Sequence, residues 1–194
     1  MCATLLSMEP LLSNIMAVYA AARPEHIDEG KAWYQTQQEL VTSFDPEGNV
    51  ERACAITAVL SANTSWSANL TLVEKVYDQR HGYGVGFKDK VDKVNRILDG
   101  ESPSSVVSGP KVTAFYSTLV SPHSSYAIPV IDRHAYDIAV GEPLGNAHRP
   151  ISKEKGYEKI ARLYRWAANI AAIGAPELQA ITWLVWKEAN GILV

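Results

Sequence analysis

Along nearly its whole length this chain spaces its apolar residues three and four apart. No run of alternating β-branched residues is long enough to force a strand. That periodicity restricts the fold to packed helices. Helices are expected over residues 5–22, 30–44, 51–62, 66–79, 110–119, 132–140, 152–172 and 176–190. Another follows Phe87 and buries Val91, Val94, Ile97 and Leu98, leaving Lys88, Lys90, Lys93 and Arg96 to solvent. Local signals mark the limits. Arg23-Pro24 closes the first helix, Asp28 is the N-cap expected for the second, Thr64 or Ser65 caps the fourth, and Pro110 suits a first helical turn. A short turn lies around Pro103 to Ser108, and residues 126–131 lead into the next helix in extended form. The fold class is all-α, an irregular packing of about nine or ten helices.

Length and composition narrow the function. A chain of 194 residues with 47% hydrophobic and 20% charged residues reads as a single domain, large enough to hold a core without disulfides or metal. No apolar run reaches the roughly 18 residues a membrane span needs. The first cation is Arg23, so the N-terminus does not read as a signal peptide. Cys2 and Cys54 are too few for a disulfide framework, a four-thiolate zinc site or an iron–sulfur cluster. The five histidines form no H-E-x-x-H and no Cys/His pair at zinc spacing. The expectation is a cytoplasmic protein with no metal, no cofactor and no membrane contact. The net charge of −3 divides unevenly: residues 1–58 hold 3 Lys/Arg against 8 Asp/Glu, and residues 59–194 hold 15 against 13. An anionic ligand should therefore meet the later part of the chain. With so few cations its duplex binding should be weak and only shallowly salt-dependent.

Some motifs have ordinary readings. Gly82-Tyr83-Gly84-Val85-Gly86-Phe87-Lys88 matches neither a dinucleotide fingerprint nor a P-loop, no strand precedes it, and it reads as a helix–helix connection. Ser108-Gly109-Pro110-Lys111 spells S-x-x-K without the partner motifs of penicillin-recognising enzymes. Lys111 is more informative. A lysine at a helix start faces the positive pole of the macrodipole. Burial there lowers its pKa and supplies the neutral amine a nucleophile needs. Asp132 follows 21 residues later at the next helix start, as a helix cap or as a carboxylate facing that lysine across a cleft.

These stretches resemble the helix-hairpin-helix DNA glycosylase superfamily, the endonuclease III and 8-oxoguanine glycosylase group. Leu60-Ser61-Ala62-Asn63-Thr64-Ser65-Trp66 is similar to the segment whose amide side chain fills the gap left by a flipped nucleotide, which puts Asn63 in that role. Val107-Ser108-Gly109-Pro110-Lys111-Val112 is similar to the hairpin ending in G-x-K, with Lys111 on the nucleophile. Pro129-Val130-Ile131-Asp132-Arg133-His134 is similar to the V-D-x-H segment, with Asp132 on the catalytic aspartate. The chain departs from the pattern where Val107 replaces the hairpin's first glycine and Pro110 removes one amide donor.

The resemblance implies two helical subdomains, a hairpin subdomain over roughly 64–133 and a second from 1–63 and 134–194, with the base flipped into the cleft between them. It implies a monomer acting on DNA as a glycosylase with abasic-site lyase activity. Lys111 is the Schiff-base nucleophile and Asp132 stabilises positive charge on the sugar. Asn63, Trp66, Gly109, Arg133, His134 and Lys88 are the expected DNA and base contacts, with Trp33, Phe115 and Tyr116 as further stacking surfaces. Two other readings compete. One is a glycosylase-fold enzyme that decorates thymine in phage DNA without breaking the glycosidic bond. The other is a non-catalytic DNA-binding module, which requires Lys111 and Asp132 to lie apart or point to solvent.

Overall fold

The computed structural model describes residues 10–124 and 128–192. Among them lie ten helices and no strand: α1 (Leu12–Ala20), α2 (Pro24–Ser43), α3 (Val50–Leu60), α4 (Trp66–Gln79), α5 (Lys88–Leu98), α6 (Pro103–Val106), α7 (Pro110–Val120), α8 (Arg133–Val140), α9 (Glu154–Ala171) and α10 (Ala175–Ala189). Part of the helix expected over 5–22, part of the extended approach at 126–131, and Cys2 lie outside the described residues.

Most helix limits follow local chemistry. Ser65 caps α4 by accepting from Ala68 N–H at 3.3 Å, Asn49 caps α3 through Arg52 N–H at 3.0 Å, and Gly109 (φ 89°) precedes Pro110 at the start of α7. α2 departs from expectation. It begins at Pro24, not after Asp28, because proline suits the first helical position, where an N–H has no partner in any case. Arg23 N–H donates to His26 Nδ1 at 3.2 Å, closing that end, and His26 and Arg23 both reach Glu188 on α10. Gly30, read from sequence as a helix start, lies inside α2. There a Cβ would come within 2.4 Å of Ile181 Cγ1 and 2.8 Å of Ile181 backbone, so the glycine permits close approach of α2 to α10.

Two helices organise the packing. α3 is buried from Ala53 to Leu60 and touches α2, α4, α5, α6 and α7; α10 is buried along most of its length and touches α1, α2, α8 and α9. α2 contacts both groups. Cys54 sits inside α3, where burial pushes its thiol up to about 12, so it packs as an apolar side chain. The glycine-rich stretch is a built connection: Asn95 Oδ1 accepts from Gly82 N–H at 2.7 Å, and Gln79 Nε2 donates to the carbonyls of His81 and Tyr83. Among the described residues no helix is long and apolar enough to cross a membrane.

Candidate active site

The site is built on the end of α3. A helix C-terminus presents carbonyls without helical partners and the negative pole of the macrodipole. Two lysines meet it. Lys111, in the first turn of α7, donates from Nζ to Ser61 O at 3.2 Å and Ser61 Oγ at 3.5 Å. Lys90 donates to Leu60 O at 2.9 Å, Ala62 O at 2.7 Å and Thr64 Oγ1 at 3.2 Å. Lys90 is thus not one of the solvated cations of α5, because the carbonyls at the helix end draw it inward. Burial pushes the Lys111 ammonium below the ordinary lysine range; Asp132 opposes that shift and Arg133 adds to it. Burial also lowers Lys90, with the charge of Lys111 adding.

Asp132 holds two positions at once. Its Oδ1 accepts from Ala135 N–H at 2.8 Å, capping α8, and the same side chain lines the pocket that Lys111 lines. A carboxylate has oxygens for both tasks. Lys111 and Asp132 feel each other's charge across that pocket without forming a contact ion pair. Both side chains are half-buried.

The pocket has a volume of about 90 Å³. Its walls are aromatic: the Trp33 ring centroid lies 5.2 Å from Trp66 and 5.8 Å from Trp183, and Phe115, one turn beyond Lys111, lies 6.1 Å from Trp66. Polar groups form its floor. Tyr34 Oη donates to Gln179 Oε1 at 2.6 Å, and Asn69 Nδ2 donates to Thr57 O at 3.1 Å.

Of the residues expected at the site, Lys111, Asp132, Trp66, Trp33 and Phe115 come together in this pocket, and the others do not line it. Asn63 is exposed, with a left-handed backbone (φ 56°) that asparagine tolerates. It lines a neighbouring concavity of about 330 Å³ together with Lys90, Lys93 and Ser108. Arg133 is exposed and donates from Nε to His134 Nε2 at 3.3 Å. His134 is half-buried, and burial lowers its pKa against the opposing charge of Asp132. Gly109 and Lys88 are exposed and line neither concavity, and Tyr116 is half-buried away from both.

Further residues escaped sequence reasoning, Tyr34 and Trp183 of the pocket lining among them. Asn69 and Gln179 form part of the pocket floor. Lys187 is 4% exposed, with Nζ 4.3 Å from the centroid of the Trp183 ring; burial lowers its pKa and Asp132 opposes. Asn69 did leave a signal, because it falls at helical spacing with Trp66, Val73 and Val76 on the buried stripe of α4. Lys187 stands four residues after Trp183, on the same face of α10. Among the described residues no group of three or more His, Cys, Asp or Glu is placed to hold a metal.

The chain belongs to a family of unknown function, DUF7178, which it matches over residues 2–190. It is also similar to the zinc finger CCCH domain-containing protein 56 of Oryza sativa subsp. japonica, 37% identical over 86 residues, which is 43% of this chain. The chain spans 23% of that relative's length. No solved structure matches it.

Proposed function

We propose that this protein is a DNA glycosylase with abasic-site lyase activity, acting as a cytoplasmic monomer. The observation that carries the reading is the meeting of Lys111 and Asp132 in one aromatic pocket between the α3 and α10 helix groups. The short α6, the turn at 107–109 and α7 follow one another in the order that such a hairpin would require, which supports the reading. A flipped nucleotide brings its base against the aromatic walls. As the N-glycosidic bond breaks, the base leaves with the bonding electrons and positive charge grows on the sugar, where the Asp132 carboxylate stabilises it. The neutral Lys111 amine bonds to C1′ and loses a proton. Ring opening then gives a Schiff base, and β-elimination expels the 3′ phosphate.

Borohydride trapping on duplexes carrying a panel of damaged or modified bases tests this. The expected result is a covalent adduct that disappears in Lys111→Gln. No adduct across a broad panel refutes the Schiff-base role, and an adduct that survives Lys111→Gln moves the nucleophile elsewhere.

A second reading draws on the hairpin. Val107 is 8% exposed, packed into the core where the resembled motif has its first glycine, and Pro110 removes an amide. That loosens the phosphate grip and suits an enzyme that substitutes thymine while leaving the glycosidic bond intact. Nucleoside mass spectrometry separates the two: one makes abasic sites, the other a heavier nucleoside.

A further inference from the structure

We propose that Asn69 is the specificity-determining residue of the pocket, its Oδ1 accepting the ring N–H of a pyrimidine imide edge while Gln179 Nε2 donates to a flanking carbonyl. The inference rests on the base-binding reading above and names the class of base. Asn69 is 1% exposed and lines the pocket. Its amide orientation is decided by its partner: Thr57 O is a carbonyl and only accepts, so Nδ2 must face it and Oδ1 is left over. That oxygen is buried with no partner among the described residues. An orphaned buried carbonyl is costly, and a ligand donor relieves the cost.

The hydroxyl groups of the pocket are engaged. Thr64 Oγ1 bonds Leu60 O and Ala62 O and accepts from Lys90, and Ser61 Oγ donates to Ala58 O. Gln179 is 5% exposed, and its Oε1 accepts from Tyr34, which leaves its NH₂ to donate. The pocket lining therefore offers an acceptor on Asn69 and a donor on Gln179, among aromatic side chains that suit a flat ring. An imide places its N–H between two carbonyls, so it satisfies the pair whichever face it turns to the walls. Cytosine satisfies it in one orientation only.

Tryptophan fluorescence tests the idea on the intact protein, because Trp33, Trp66 and Trp183 line the pocket. Titration with 1-methyluracil, whose N1 is blocked as it is in a nucleotide, should quench the signal. 1,3-Dimethyluracil, which has no ring N–H, should bind at least tenfold more weakly, and 1-methylcytosine more weakly than 1-methyluracil. Asn69→Leu should abolish the difference between 1-methyluracil and 1,3-dimethyluracil, and the dimethylated probe keeps the test valid should that variant fail to fold. Equal binding of 1-methyluracil and 1,3-dimethyluracil, equal binding of 1-methylcytosine, or no binding of 1-methyluracil overturns the inference. Lys111-dependent trapping on DNA in that case leaves the glycosylase reading standing. Discrimination among free bases without any trapping does the reverse.

Discussion

Asp132 offers a substitution pair that separates its two roles. Asparagine caps a helix about as well as aspartate, whereas alanine cannot cap. Asp132→Ala removes the 2.8 Å bond to Ala135 N–H, at a cost of about 1 kcal/mol. A chain of 194 residues has an unfolding entropy of about 0.4 kcal/mol/K, from about 2.1 cal/mol/K per residue. The alanine variant should therefore melt about 2–3 °C lower, and Asp132→Asn within about 1 °C of the parent. Both remove the carboxylate's charge, so both should slow adduct formation by about 10²–10³-fold, the scale of losing one group aimed at developing charge. Differential scanning calorimetry gives the first quantity and the initial rate of borohydride-trapped adduct the second. An asparagine variant that traps at the parental rate shows Asp132 to be a cap and nothing more. One that melts as low as the alanine variant shows the capping argument to be wrong.

Burial lowers the pKa of Lys111, so the trapping rate should rise with pH as the ammonium sheds its proton, with a midpoint below that of an ordinary lysine. Asp132 favours the charged amine, so Asp132→Asn should move that midpoint lower still, and a midpoint that rises contradicts the assignment. Gly30→Ala should destabilise the fold by about 1–2 kcal/mol in urea denaturation. The overlap with the Ile181 backbone outweighs the roughly 1 kcal/mol that alanine gains as a helix former, and a stabilised variant refutes the close-packing account.

The helices were legible because their determinants are local. Ser65 as a cap, Pro110 at a first turn and Asp132 ahead of α8 each act within a few residues of themselves, and the structure has them there. The start of α2 was misread because Asp28 and Pro24 both signal a helix start, and the contacts of Arg23 and His26 with Glu188 on α10 favour the earlier one. Lys90 was misread for a related reason. Its position on α5 looks solvated until the end of α3 is brought beside it.

The all-α class and the helix starts at which Lys111 and Asp132 stand were thus readable in the order of the residues, since periodicity and capping are properties of neighbours along the chain. The pocket was not. Its walls and floor come from α2, α4, α7 and α10 and from the segments around Ser61 and Asp132. Only packing decides that Asn69 keeps an unpaired oxygen there, that Gln179 is turned by Tyr34, or that Lys187 is buried against Trp183. Burial and hydrogen-bond satisfaction depend on everything that surrounds a group, and most of what surrounds these groups is distant in sequence.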